Sequence, residues 1–295
     1  MNRLLQLFTI WKYDIVVIEK ELFPYLPATV ERILSFLGVK YIVDYDDAIF
    51  HNYDMHPNKY VRAALGNKIA QVMKYATLVV TGNEYLKAYA VRAGAKEVSF
   101  IPTVIDTSKY RIKSKANANE NITIGWIGSP STLQYLNLIK SVLEELSALY
   151  SFELAIVGGK SGIGLQGIEK VLEWSEDKEI EMIQDFDIGV MPLKDELWEL
   201  GKCGYKLIQY MGCGVPVIGS PVGANNDIIQ EGKNGFKPTN LEEWKQAFQE
   251  LLENKELRRL MGANGRRIVE EKYSLQITQT QWLHKIQAAS TSQQK

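Results

Sequence analysis

Two Rossmann-like α/β halves facing each other, closed by a terminal helix, are what three features of this sequence predict. Short β-branched runs alternate with helical stretches through the first third, a polar segment at 111–121 interrupts them, and the alternation restarts at Ile122. Strands alternating with helices of about 10–15 residues imply βαβ units and a parallel sheet. At roughly 150 residues per domain, a chain of 295 residues suggests two domains.

Asp14–Glu19 (DIVVIE) reads as a buried strand, and Ala28–Leu37 as a helix entered after Pro27. Val39–Asp44 is a second strand and Val61–Tyr75 a second helix. Leu78–Thr81 is a third strand, closed by Gly82, with Asn83 a natural N-cap for the helix after it. Val98–Pro102 is a fourth strand. Residues 111–121, RIKSKANANEN, are polar apart from Ile112 and two alanines and carry turn-forming Asn, so they read as a linker between domains at 1–110 and 122–273. Beyond it, Ile122–Ile127 and Phe152–Val157 are strands flanking a helix from about Ser131 to Tyr150. Ile188–Pro192 and Pro216–Gly219 are further strands with a helix between them. The tail from Leu241 is helical by periodicity, breaks near Tyr273-Ser274, and ends in a terminal helix over 274–290. Ligands of such sheets bind outside the carboxyl ends of the strands.

Composition narrows the function. Apolar residues at 46% and charged residues at 23% are ordinary for a globular chain, and a net charge of −1 provides no global field for nucleic acid. Two cysteines, Cys203 and Cys213, make no disulfide framework and suit a reducing cytoplasm. No apolar run reaches the roughly 18 residues of a membrane helix. The N-terminal MNRLLQLFTIWKYD has no small-residue cleavage site after its apolar stretch and is not read as a signal peptide. Leu4, Leu5, Phe8 and Trp11 fall at helical spacing there, an apolar stripe that would shield the first domain, self-associate or touch a membrane surface.

Four stretches offer chemistry. In Gly201–Gly214 (GKCGYKLIQYMGCG), Gly201 and Gly204 are expected to open a helix that Gly212 and Gly214 close. Lys202, Lys206 and Gln209 then lie at i, i+4 and i+7 on one face. Two lysines at a helix start repel each other and oppose the macrodipole unless an anion binds there, which favours a phosphate site over a solvated basic face. Gly125–Thr132 (GWIGSPST) is a strand, a glycine turn and a helix start, with either Ser129 as cap or a Ser131/Gln134 capping box. It offers amides and hydroxyls to a diphosphate, or is simply a well-made turn. Gly219–Asn226 is a turn-rich loop whose Asn225 faces a ligand or only shapes the turn. Asp44-Tyr-Asp-Asp47 ends a strand with three carboxylates for a metal, a base or sugar hydroxyls, against a plain helix cap with solvent-facing acids. His51, His56 and His284 are not paired at metal-ligand spacing. Trp174 is a candidate for contact with a base, though a place in the core is the favoured reading.

Together, DYDDAIF (Asp44–Phe50), VTGNEYL (Val80–Leu86), IPTVID (Ile101–Asp106), IGWIGSPST (Ile124–Thr132), FDIGVMPL (Phe186–Leu193), GKCGYKLIQYMGCGVPVI (Gly201–Ile218) and SPVGANNDII (Ser220–Ile229) resemble a retaining glycosyltransferase of family 4. The resemblance runs from about residue 13 to 275. It implies the GT-B fold, transfer of a sugar from a nucleoside diphosphate donor to an acceptor hydroxyl with retention, and no metal or other cofactor. It makes 122–273 the nucleotide-sugar-binding domain and 1–110 the acceptor-side domain. Carried over by position, it implies Gly128 and Ser129 on the donor diphosphate. Lys202, Gly204, Tyr205 and Lys206 fall on the phosphates and transferred sugar, Gln209 where a glutamate holds ribose hydroxyls, and Asn225 in a donor-facing loop. Lys206 and Asp46 are the implied catalytic residues; Asp46 and Asp47 lie on the acceptor side. Gly201 stands where the family has a first glutamate, so Glu199 or amides near Gly204 would have to hold the sugar. Ser131 and Thr132 stand where many members have Arg and Lys. About 70 family-like residues before the first strand are expected to be missing, which makes the N-terminal domain incomplete.

The leading function is thus a retaining sugar transferase for surface polysaccharide or glycoconjugate, with a glycan or lipid-linked acceptor and a cytoplasmic place that extends to the inner face of the membrane. The alternative is a truncated, non-catalytic nucleotide-sugar-binding or interaction protein. A sugar-nucleotide epimerase shares the fold but lacks evident acid and base residues here.

Overall fold

A computed structural model describes residues 6–112 and 121–291. The chain divides into two compact units. One holds the chain up to Thr103, Leu200–Cys203 and the chain from Thr278 on; the other holds Val104–Glu199 and Gly204–Ile277.

The first unit contains four parallel strands in the order β1 (Val16–Glu19), β2 (Tyr41–Tyr45), β3 (Leu78–Thr81) and β4 (Val98–Phe100). Both faces of this sheet are apolar, as parallel sheets require. Ile18, Tyr41, Val43, Tyr45 and Val79 pack with Ile69, Val72, Met73 and Leu86 on one side. On the other, Ile42, Leu78, Val80 and Ile101 meet Trp282, Ile286 and Ala289 of the last helix, Leu275–Thr291. That helix therefore belongs with the first unit from Thr278 on and is not a free appendage; Lys285 adds an ion pair to Glu97 at 2.9 Å.

Three expectations need correction here. The helix expected over 61–75 is two, Lys59–Leu65 and Lys68–Tyr75, interrupted at Gly66-Asn67. The domain break falls before 104 and not at 111, because Arg266 donates to the carbonyls of Thr107, Tyr110 and Gly212 and ties that segment into the second unit. In the N-terminal stripe, Leu4 and Leu5 lie outside the described residues, as do 113–120 of the expected linker. Phe8 is 80% and Trp11 58% exposed, whereas Ile10 is buried against Leu34 and Val39. Phe8 and Trp11 therefore stay largely in solvent, and it is Ile10, with Leu7, that packs on the first unit.

The second unit is a six-stranded parallel sheet in the order β10-β9-β8-β5-β6-β7. Its strands are β5 (Ile122–Ile127), β6 (Phe152–Val157), β7 (Glu169–Leu172), β8 (Ile188–Met191), β9 (Val217–Gly219) and β10 (Gly235–Phe236). Read from β7, this is the 3-2-1-4-5-6 order of a doubly wound sheet, which reverses direction between β5 and β8. Its core joins Ile124, Trp126, Leu154, Ile156, Ile188 and Val190 to Leu136, Leu143, Trp244, Phe248 and Leu251. The tail helices are Leu241–Glu253 and Lys255–Lys272, capped by Asn240 and Asn254, whose side chains accept from Glu243 and Leu257 amides. Among the described residues, no helix is long and apolar enough to cross a membrane.

Candidate functional site

The switch between β5 and β8 is where a doubly wound sheet opens a crevice at its carboxyl edge. At the end of β5, the Ile127 amide donates to the buried Tyr210 hydroxyl at 3.0 Å, and the chain turns through Gly128, whose amide donates to Val157 at 3.0 Å. A Cβ on Gly128 would stand 2.6 Å from Trp126 Cζ2, 2.8 Å from Lys206 Cε and 2.8 Å from Thr132 Oγ1. The missing side chain is what lets this backbone lie against the lysine. The Lys206 ammonium sits 5.3 Å over the Trp126 ring, a cation–π contact that holds a charge beside the crevice. Gly158, at φ +82°, ends β6 beside them; its Cβ would fall 2.5 Å from the Gly128 carbonyl oxygen.

The helix expected from Ser131 to Tyr150 is instead a 3-10 turn over Leu133–Leu138 and a separate helix, Lys140–Ser147. Neither expected cap forms. Ser129 Oγ pairs with Ser131 Oγ at 2.9 Å, and the Gln134 amide donates to the Ser131 carbonyl. Ser129 is exposed at the loop's tip, next to Gly128, so what this loop offers is hydroxyls and amides without a long helix dipole behind them.

After a short turn of helix at Leu197–Leu200, the helix that leads into β9 is Tyr205–Gly212. Gly204 precedes it in the left-handed region at φ +69°, with Ile228 packed where a Cβ would be, and Gly214 leaves it at φ +75°. Gly212 is helical and does not close it. Because the helix starts at Tyr205, Lys202 is not on it, and the face shared by Lys202, Lys206 and Gln209 does not exist. Lys206 alone occupies the first turn. Lys202 belongs to the first unit, where its carbonyl accepts from Asn83 Nδ2 at 3.1 Å.

Gln209 is buried, and its Nε2 donates to Glu179 Oε1 at 2.6 Å and to Tyr110 Oη at 2.8 Å. Tyr110 Oη donates to the same carboxylate oxygen at 2.6 Å, and Trp174 Nε1 donates to the other at 2.7 Å. Tyr205, exposed at the helix start, lies beside Tyr110, and burial raises both phenols above their ordinary range. Sequence reasoning missed Glu179 altogether. Trp174 is 47% exposed, which overturns its reading as a core residue.

Asn225 is buried and its Nδ2 donates to the Ser220 carbonyl at 3.0 Å, which closes the loop after β9. Glu199 is buried as well; Tyr135 donates to its Oε1. Gly201 has no room for a side chain: a Cβ would stand 2.8 Å from the Ala48 nitrogen and 3.0 Å from its Cα.

The acidic run lies in the first unit, at the carboxyl end of β2. Asp46 pairs with Lys20 at 2.9 Å, and Lys20 takes the left-handed region at φ 65° to do so. Asp44 is pushed up to about 6, chiefly by burial and then by the charges of Asp46 and Glu19. Asp47 is partly buried next to them. The Cys203 thiol donates to the Asp46 carbonyl at 2.9 Å, and burial pushes it up to about 12. His51 is held by Asp54 at 2.8 Å and Tyr85 at 2.9 Å. Among the described residues, no three His, Cys, Asp or Glu side chains group so as to hold a metal ion. A cavity of about 610 Å³ in the second unit lies at the amino ends of β8 and β9, lined by Phe186, Asp187, Val215 and Arg258, away from this crevice.

These features define an α/β protein of GT-B type, and solved structures agree. HepE from Anabaena in complex with UDP-glucose superposes with a TM-score of 0.74 at 16% identity, covering 97% of this chain and 82% of that one. Sucrose-phosphate synthase from Thermosynechococcus elongatus does so with a TM-score of 0.69 at 14% identity, covering 97% and 77%. Within that fold, residues 121–254 match the family model for glycosyl transferases group 1. A stretch of 76 residues is 30% identical to an uncharacterized glycosyltransferase of Methanocaldococcus jannaschii; it spans 25% of this chain and only 19% of that relative. The chain thus has a glycosyltransferase-type fold and, over 121–254, a glycosyltransferase-type domain.

Proposed function

We propose that this protein is a retaining glycosyltransferase of family 4 that moves a sugar from a nucleoside diphosphate to an acceptor hydroxyl. The observation that carries the reading is the seat of Lys206 against Gly128 at the β5/β8 switch, where a cation, a glycine backbone and exposed hydroxyls converge. The family match over 121–254 and the UDP-glucose complex of HepE support the donor class. Lys206 holds the departing diphosphate, Gly128 and Ser129 offer it hydrogen bonds, and an oxocarbenium-like sugar forms. The acceptor hydroxyl bonds to that carbon on the face the diphosphate leaves, and its proton passes to the diphosphate oxygen. Lysine charge takes the part a divalent cation would otherwise play. Asp46 and Asp47 lie on the acceptor side, and the acceptor is a glycan or lipid-linked sugar of a surface polysaccharide or glycoconjugate, reached from the cytoplasm.

The departure at Gly201, which admits no carboxylate, favours a second reading: a nucleotide-sugar-binding protein without transfer activity. A panel of nucleoside diphosphate sugars, followed by thermal shift and by turnover, separates the two. Turnover with retained anomeric configuration establishes the transferase. A shift without turnover selects the binding protein, and neither signal removes both.

A further inference from the structure

Trp174 follows β7 on the carboxyl side of the second sheet and keeps 47% of its surface exposed, whereas Trp126 and Trp244 of the same unit are 1% and 5% exposed. It is also fixed. Its indole N–H donates to Glu179 Oε2 at 2.7 Å, and Glu179 Oε1 is itself held by Gln209 and Tyr110, each at 2.6 Å. Three segments thus converge to orient one exposed indole. Its base borders the crevice: the point where Gly158 would carry a Cβ is 3.3 Å from Trp174 Cβ and 2.5 Å from the Gly128 carbonyl oxygen. A large, oriented aromatic face left in water beside a phosphate-type site is a surface suited to a flat partner.

We propose that Trp174 is the platform on which the donor's nucleobase stacks, with Glu179, Gln209 and Tyr110 as positioning residues that set the ring's angle. The inference rests on the nucleoside diphosphate reading of the crevice and extends it to the base. Every base has a π-face, so this contact supplies affinity for a nucleoside and does not choose among bases.

The test compares UDP with inorganic diphosphate, which shares the charge and lacks the base, on the full chain by calorimetry. Trp174→Ala should weaken UDP by about 10-fold, within the roughly 5- to 150-fold range of base–aromatic stacking, and leave diphosphate within about twofold. Trp174→Phe should keep most of the UDP affinity. Glu179→Ala, which frees the indole, should weaken UDP selectively as well, while thermal unfolding confirms that each variant is folded. Equal losses for both ligands, or no loss for either, overturn the stacking platform and leave the donor reading standing. If the native chain binds neither ligand, the donor reading falls and the platform with it.

Discussion

Gln209 Nε2 donates to Glu179 Oε1 at 2.6 Å, a bond that an ionised carboxylate at 209 could not make because it only accepts. A glutamate at this position, the residue expected from the family pattern, would set two carboxylates against each other in a half-buried place. One of the pair would then hold a proton well above the ordinary carboxylate range.

Gln209→Glu should therefore destabilise the protein near neutral pH by about 1–3 kcal/mol. The sign follows from linkage: a carboxyl group whose folded pKa is raised contributes stability at low pH and loses it as pH rises from about 4.3 through the raised value. Urea midpoints at pH 4.5 and pH 7.5 check this. A variant as stable as the native chain at pH 7.5 would show that the network does not depend on the amide.

Lys206 and Lys202 should separate. Lys206→Ala is expected to weaken UDP binding by at least roughly tenfold, about 1.4 kcal/mol, with the fold intact. Lys202→Ala should cost less, because Lys202 precedes the helix and belongs to the first unit. Titration calorimetry of both variants decides it; equal losses would mean that the two lysines share one anion after all.

Restoring a carboxylate at Gly201 should harm and not help. Gly201→Ala already presses a methyl group against the Ala48 backbone, at 2.8 and 3.0 Å, and overpacking of this kind typically costs about 1–3 kcal/mol. Gly201→Glu should be worse. Thermal unfolding measures the loss, and a Gly201→Glu chain that melts like the native one with faster turnover would contradict it.

Asp44 should leave a trace in the pH dependence of stability. Its folded value near 6 lies above the ordinary 3.8, so the folded state holds the proton longer than the unfolded chain does. Stability from this group falls as pH rises between about 4 and 6. Asp44→Asn should remove that slope and gain on the native chain as pH rises. Parallel urea titrations at pH 4 and pH 7 test it, and a difference that does not change with pH would place the titration elsewhere.

Local pattern determined much of this protein. Leu78–Thr81, Ile122–Ile127 and Phe152–Val157 are strands at the bounds their β-branched runs predict, and Asn83 caps the next helix by accepting from the Leu86 amide. These are effects of neighbours along the chain, so sequence carries them. β7 escaped notice because EKVL is exposed or half-exposed throughout and has no apolar signature; β10 has only two residues. The start of the Tyr205–Gly212 helix was decided by Gly204 turning left-handed under Ile228, which removed Lys202 from its face. The network around Glu179 joins it to Tyr110, 69 residues away, and to Gln209, 30 away. No local propensity records such meetings. Only the folded sheet, by bringing the segment at 104–110 against the Tyr205–Gly212 helix, turned Glu179 into a shared acceptor and Trp174 into an oriented surface.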